Sequence, residues 1–164
     1  MTRRFTLATA VPASVDEAWS WSTSVKGIKE EMWPVLKMTF PKGLTHIGKD
    51  TTLQKPLGRC KFLLLGLFPI DMSKLTFVEI EPGRRFVEQS PLLSMRLWRH
   101  ERIVTPSGDG AIVTDNVEFT PRFAPPVVGW FVKRFFEHRH AVLSRSLRAG
   151  FAGAAQAQSG VGIR

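Results

Sequence analysis

The sequence predicts a single α+β domain in which strands and two short helices precede one long C-terminal helix. The chain has 164 residues, about the length of one domain. Residues 35–119 form strand-like runs between turn signals, and apolar residues recur at helical spacing from about residue 126. We expect the folded domain to span residues 1–148. Residues 149–164, rich in Ala, Gly, Gln and Ser, are expected to form a flexible tail.

Composition excludes several classes of protein. The chain is 43% hydrophobic and 23% charged, which is ordinary for a globular domain. A single cysteine, Cys60, excludes an intramolecular disulfide and any zinc site built on two or four cysteines. The apolar run Phe62–Ile70 is far shorter than the roughly 20 residues of a membrane-spanning helix, so it is interpreted as a buried strand.

The first residues favour a strand over a secretory signal. Their apolar stretch alternates with period two and is interrupted by Thr6, Thr9 and Pro12. We therefore expect a cytoplasmic protein, whose first strand spans Arg4–Val11.

Two short helices are predicted after this strand. Ser14 and Glu17 have the spacing of a capping box, in which each side chain bonds the other residue's backbone amide, so a helix should run from Ser14 to about Ser22. A second helix should span Val25–Met32 and end before Pro34, because the residue preceding a proline disfavours helical backbone angles.

The middle of the chain predicts an antiparallel meander, since its strands are separated by short turns. The clearest hairpin is the last, whose turn Ser107–Gly110 tolerates positive φ. The predicted strands are Val35–Phe40, Asp50–Leu53 (the weakest), Arg59–Phe68, Met72–Glu81, Arg85–Ser90, Ser94–Thr105 and Ala111–Thr120. The long helix follows, from about Pro126 to Arg148.

Several motifs in this order resemble the START-like or SRPBCC superfamily. The segment VPASVDEAWSWSTS is similar to its first strand and helix. Trp98-Arg-His100, Asp115 within IVTDNVEFTP, and Arg139 within FFEHRHAVLSRSL resemble a sub-pattern found in some members. The resemblance spans Arg4 to about Arg148.

The resemblance implies a helix-grip fold, in which a curved antiparallel sheet of six to seven strands wraps around the long C-terminal helix. It also implies a hydrophobic cavity between sheet and helix. Members of the superfamily bind lipids, sterols, polyketides or hormones, and some catalyse cyclisation or dehydration. Because fold does not decide function, the cavity residues must carry the argument.

Large apolar side chains are expected to face this cavity, although they could also pack together and leave no space. With such a lining, the predicted ligand is a hydrophobic small molecule or lipid. The candidates are Trp19, Trp33, Leu36, Phe62, Leu64, Phe77, Trp98, Phe119, Phe131 and Phe135.

Three polar residues lie among apolar ones and are the remaining candidates. Asp115 shares a strand face with Val113 and Val117, and Arg139 points into the apolar stripe of the last helix. Asp115 could pair with Arg139 or accept a hydrogen bond from His100. Two hypotheses remain open: Asp115 and Arg139 lock the helix to the sheet, or Arg139 or His100 binds the carboxylate or carbonyl of a ligand whose tail lies among the aromatic side chains.

Catalysis has less support in the sequence. No nucleophile elbow, zincin, Walker or dinucleotide-binding motif occurs, and we expect no cofactor. Successive positions of a helix point about 100° apart. His138 and His140 are two residues apart and are not an i, i+4 metal pair, so no metal is expected. The alternative is a polyketide cyclase or dehydratase-like enzyme using His100 and Asp115, although the chain has no tyrosine as a phenolic proton donor.

The net charge of +9 attracts anionic partners without identifying them. Lys133, Arg134 and Arg145 could form a ridge on the last helix that touches anionic lipid headgroups, or they could be an ordinary solvated face. Nucleic acid is disfavoured, because neither an arginine-rich run nor exposed stacking aromatics are found. A third possibility is that the last helix and tail dock a protein partner.

Overall fold

The computed structural model describes the backbone of residues 1–159 and the side chains of residues 1–150. That part of the chain contains eight strands and three helices. Their order is β1 (Arg3–Val11), α1 (Val15–Thr23), α2 (Val25–Met32), β2 (Leu36–Met38), β3 (Gly58–Leu64), β4 (Phe68–Leu75), β5 (Phe77–Glu81), β6 (Arg85–Glu88), β7 (Met95–Ser107), β8 (Gly110–Pro121) and α3 (Pro125–Ser159).

The two short helices form where the sequence predicted them. The Glu17 amide donates to Ser14 Oγ and the Ser14 amide donates to Glu17 Oε2, which confirms the capping box. Ser24 ends α1 and caps α2, because its Oγ accepts from the Gly27 amide. A Cβ at Gly27 would lie 2.3 Å from the Trp21 carbonyl oxygen, so only glycine fits this tight helix junction.

The strands form two linked antiparallel sheets. Five strands lie in the order β1-β8-β7-β6-β5, and three in the order β2-β3-β4. Backbone hydrogen bonds join the sheets, since Lys74 N donates to Pro91 O (3.1 Å) and Leu93 N to Met72 O (3.2 Å). The helix α3 packs against β1, β8 and α2. The predicted α+β helix-grip architecture is confirmed.

Three strand predictions were wrong in detail. The run Phe62–Ile70 is not one buried strand, because Leu65 and Gly66 take positive φ and turn the chain back between β3 and β4. The predicted strand Met72–Glu81 is divided at Thr76 into β4 and β5, which belong to different sheets. Residues 50–53 form no strand and contribute only an isolated bridge between Leu53 and Phe77.

The long helix continues past Arg148, where the sequence predicted its end, to Ser159. Residues 160–164 lie outside the described residues, as do the side chains from residue 151 onward, so the flexible tail stays a prediction. Among the described helices, none combines the length and hydropathy needed to cross a lipid bilayer.

Candidate functional site

A cavity of about 100 Å³ lies where the two sheets meet α2 and α3. Its wall is apolar except for three side chains, Glu88, His100 and Arg139. The apolar lining consists of Ile28, Met32, Met38, Phe40, Ile47, Phe62, Leu75, Phe77, Phe86, Leu92, Trp98 and Phe135.

The cavity is small beside the 300 to 1,000 Å³ or so of typical sites for drug-sized ligands. A larger open groove of about 870 Å³ lies next to it, and Met38 and Phe40 line both. Methionine side chains are flexible and adapt to irregular space. Because they line both, Met38 and Phe40 lie between the two spaces. The groove is also lined by Lys29, Glu30, Trp33, Pro34, Leu36, Lys37, Thr39, His138, Val142 and Arg145.

The structure brings about half of the predicted site residues to the cavity. Trp33 and Leu36 instead line the outer groove, and Trp33 is 56% exposed because it follows the last turn of α2. The predicted residues that line the cavity are Phe62, Phe77, Trp98, His100, Phe135 and Arg139, and those that line neither space are Trp19, Leu64, Asp115, Phe119 and Phe131.

Sequence reasoning missed several lining residues for identifiable reasons. Ile28 and Met32 are four residues apart on α2 and form a helical apolar face, a signal that could have placed them. Phe40, Ile47 and Leu92 lie in connections, where no periodicity indicates which side chains face inward.

Behind the cavity, Arg102 is the centre of a fully buried group of charges. Its guanidinium donates to both oxygens of Asp115, with Nε–Oδ1 and Nη2–Oδ2 distances of 2.7 Å. It also donates to both oxygens of Glu31, at 2.8 and 3.0 Å. All three side chains are fully buried. Such paired bidentate contacts are the geometry in which arginine binds carboxylates best.

Arg139 connects α3 to the same group. Its Nε and Nη2 donate to Glu31 Oε2 at 3.2 and 3.0 Å, and Trp21 Nε1 donates to Glu31 Oε1 at 3.1 Å. The Arg139 guanidinium also lies 4.9 Å from the centre of the Phe136 ring, a cation–π distance.

Two histidines complete the arrangement. The Nε2 atoms of His100 and His140 each lie 3.0 Å from an Asp115 oxygen, and each Nε2 donates because a carboxylate only accepts. His140 Nδ1 is 2.8 Å from Thr9 Oγ1 on β1. We call Glu31, His100, Arg102, Asp115, Arg139 and His140 the buried charge cluster.

The cluster corrects one sequence hypothesis. The expected contact of His100 with Asp115 is present, but Arg139 binds Glu31 and not Asp115. Arg102 takes that place because the β7–β8 register sets it directly opposite Asp115. Glu31 was missed, although its spacing from Ile28 puts it on the buried face of α2.

The buried carboxylates remain ionised. Burial raises the pKa of Asp115, but the charge of Arg102 and the hydrogen bonds from Arg102 and His100 outweigh it and hold the pKa well below its usual range. Burial likewise raises the pKa of Glu31, whereas Arg102 and Arg139 lower it further than burial raises it. Asp115 is thus a fixed anion that orients its neighbours.

Two cluster members also form part of the cavity wall. His100 is held between the rings of Phe86 and Phe136, at centroid distances of 5.6 and 5.1 Å, and its Nδ1 lies 3.8 Å from Glu88 Oε2. Arg139 Nη1 makes no hydrogen bond with any side chain or carbonyl in the described part of the chain. The wall therefore includes the side chain of Arg139, whose Nε and Nη2 are bound to Glu31.

Within the described residues, no group of three or more His, Cys, Asp or Glu side chains is arranged to hold a metal ion. Cys60 is fully buried on β3, where burial and the charge of Glu88 raise the pKa of its thiol to about 11.

Comparison with solved structures defines the class of fold. A protein from Chromobacterium violaceum matches with a TM-score of 0.68 at 14% identity, over 88% of this chain and 97% of that one. Zhui aromatase/cyclase from Streptomyces sp. R1128 matches with a TM-score of 0.66 at 12% identity, over 90% and 94%. A START superfamily protein from Mycobacterium smegmatis gives 0.62 at 10% identity, over 88% and 96%. The chain has a START/SRPBCC-like fold.

The sequence also matches a protein-family model. A family model described as "Domain of unknown function (DUF8410)" matches residues 9–147, and the chain belongs to that family. No curated protein matches the sequence.

We expect Glu31→Gln to lower the free energy of unfolding by about 3 to 5 kcal/mol, because it leaves buried Arg102 and Arg139 without their shared anion. Urea denaturation followed by circular dichroism measures the loss. Glu30→Gln is the matched control. Glu30 is exposed, and its ion pair is a long one of 3.9 Å with exposed Lys26, so the loss of its charge should cost at most about 0.5 kcal/mol. Equal stability of the two variants would contradict the role of the cluster.

Proposed function

We propose that this protein binds a hydrophobic small molecule or lipid in the cavity between the sheets and α3. One observation carries the proposal: the cavity wall is apolar apart from Glu88, His100 and Arg139, and the last two are fixed from behind by the buried charge cluster. Ligand sites typically combine such an apolar lining with a few positioned polar groups.

The polar end of the ligand is proposed to lie at Arg139. Its Nη1 has a donor to spare, while Nε and Nη2 are occupied by Glu31 and keep the guanidinium in place. A carboxylate or carbonyl oxygen would accept that hydrogen bond. Glu88 would repel a carboxylate, so an anionic group would approach Arg139 and leave Glu88 to a hydroxyl or to solvent.

The size of the cavity limits the ligand or requires movement of the wall. A volume of about 100 Å³ accepts a small ring or the end of a chain. A longer molecule would continue into the outer groove past Met38 and Phe40. The aromatase/cyclase and START superfamily proteins with the same fold support a small-molecule role at the level of fold.

We expect Leu92→Trp to weaken binding of dansyl-labelled undecanoic acid at least about tenfold, because the indole would occupy space that the ligand needs. Fluorescence titration measures the affinity. Leu93→Trp is the matched control, since Leu93 is exposed and does not line the cavity, and should bind within about twofold of the unaltered protein. Unchanged binding by folded Leu92→Trp would place the ligand elsewhere.

The anionic character of the ligand has a separate test. Arg139→Met should weaken binding of the labelled acid about tenfold, the value of one charged hydrogen bond, and binding of its methyl ester less, because the ester carbonyl is an uncharged acceptor. Arg145→Met, which removes a cation from the outer groove, should leave the difference between acid and ester unaltered. Equal losses for acid and ester would mean that Arg139 acts only on the shape of the cavity.

A second candidate is an acid–base enzyme of the cyclase or dehydratase type, favoured by the contact between His100 and Asp115. With Nε2 donating to Asp115, Nδ1 of a neutral His100 has a free lone pair at the cavity wall and could accept a substrate proton. Asp115 itself is bound on both oxygens, so it would orient His100 and would not transfer a proton.

Proton exchange tests this candidate without a known substrate. In D₂O, the protein should accelerate deuterium incorporation at the acidic carbon of a β-dicarbonyl compound, followed by NMR. His100→Gln should abolish the acceleration, and His138→Gln, which alters a half-buried histidine of the outer groove and not of the cavity, should not. The same rate with and without protein would argue for binding alone.

A further inference from the structure

The turn between β3 and β4 exposes a group of large apolar side chains. Leu65, Leu67, Phe68 and Ile70 are between 45 and 73% exposed. We call residues 65–70 the hairpin tip. So many adjacent exposed apolar residues are unusual on a monomeric protein and mark an interaction surface.

The backbone of the turn makes this composition more unusual. Leu67 N donates to Leu64 O, and the two central residues, Leu65 and Gly66, have φ of +51° and +74°. Such turns favour Asn, Asp or Gly at both central positions, because a Cβ is strained at positive φ. Leu65 therefore has an unfavourable positive φ for a residue with a Cβ, and it also exposes an apolar side chain to water. The stability of the fold alone does not explain a leucine at this position.

The apolar surface extends to Trp33. A Cβ at Gly66 would lie 3.1 Å from Trp33 Cζ3 and 3.8 Å from Lys37 Cδ, so the tip lies against these two side chains. Trp33 is 56% exposed. Tryptophan is enriched at membrane–water interfaces, where one side of the ring is apolar and the other is hydrated.

The outer face of the three-stranded sheet is basic. Arg59, Lys61 and Leu63 alternate along β3 and share one face, and their partners Lys74, Met72 and Lys37 lie on that face too. Arg59 is directly opposite Lys74, a like-charge pair that destabilises a sheet. We call Lys37, Arg59, Lys61 and Lys74 the basic face; all four are exposed.

No acidic residue of these three strands offsets the basic face. Their one carboxylate, Asp71, pairs with Phe62 in the register, and accepts from the Ser94 hydroxyl and from the amides of Leu93 and Ser94. The tip and the face thus combine apolar side chains at one end with uncompensated cations behind them.

We infer that the hairpin tip and the basic face together bind the surface of an anionic lipid bilayer. Apolar side chains that bind in this way enter about 5 to 10 Å, to the boundary of headgroups and acyl chains. Lys37, opposite Leu63 near the tip, would then reach the phosphate layer, where each cation contributes about a fivefold gain in affinity.

The same features disfavour other occupants. A second copy of the chain would bring two basic faces together and set like charges against each other. A nucleic acid would suit the cations but would leave the aliphatic tip in water. Arg59, Lys61 and Lys74 lie on the opposite side of the sheet from Cys60 and cavity-lining Phe62, whereas Trp33 and Lys37 also line the outer groove. The inference is tested separately from the proposed ligand through Leu67 and Phe68, which line neither the cavity nor the groove.

Vesicle flotation tests the inference with phosphatidylcholine vesicles, with and without phosphatidylserine. The unaltered protein should float with phosphatidylserine vesicles, and less at high salt. The double variant Leu67→Ser, Phe68→Ser should partition at least about tenfold less, because the buried apolar area is lost. Val127→Ser with Trp130→Ser removes equally exposed apolar residues from α3 and should change partitioning less than about twofold.

The cations are tested in the same way. Lys37→Gln with Lys61→Gln should reduce partitioning to phosphatidylserine vesicles about 25-fold, fivefold for each cation, and flatten its salt dependence. Lys133→Gln with Arg134→Gln, which removes two cations from α3, should not. All substituted side chains are exposed, so circular dichroism should show unaltered folding. The inference is overturned if the unaltered protein binds no vesicles, if the tip variant binds equally well, if the α3 variants are the ones that fail, or if the tip variant instead abolishes self-association.

Discussion

The structure around the cavity depends on the neutralisation of Arg102. A guanidinium fully excluded from water is unfavourable unless its charge and its donors are met by the protein. Glu31 and Asp115 do both, and Arg139 supplies the second positive charge that matches the second carboxylate. The formal charges of the two carboxylates and two guanidiniums cancel, and this balance stabilises the ionised form of each group.

The cluster also determines how the elements are arranged. Its members come from α2, β7, β8 and α3, so one set of hydrogen bonds connects both helices to the five-stranded sheet. Hydrogen bonds have direction, whereas apolar packing has little. The cluster therefore fixes the orientation of Arg139 and His100 at the cavity wall, which packing of Phe86 and Phe136 alone would leave less defined.

The parts of the fold that depend on local chemistry could be predicted from sequence. The capping box at Ser14 and Glu17, the β7–β8 hairpin and the α+β architecture were found because neighbouring residues specify them. The β3–β4 turn was not found, since Leu65 gives no turn signal and Gly66 lies within an apolar run. Periodicity could place Asp115 and Arg139 inside, but pairing with Glu31 depends on contacts between distant segments, which one sequence does not reveal.

The cluster and the three-stranded sheet have no residue in common. That sheet contributes only Met38, Phe62 and Leu75 to the cavity, all without charge, whereas the polar wall comes from β6, β7 and α3. Hydrogen bonds from the smaller sheet reach residues 91–94, and none of the ion pairs around Arg102 involves that sheet. The cavity is thus bounded on one side by residues whose positions the charge cluster fixes and on the other by uncharged side chains of the smaller sheet, so substitutions at Met38, Phe62 or Leu75 would change its shape and leave the charge balance intact.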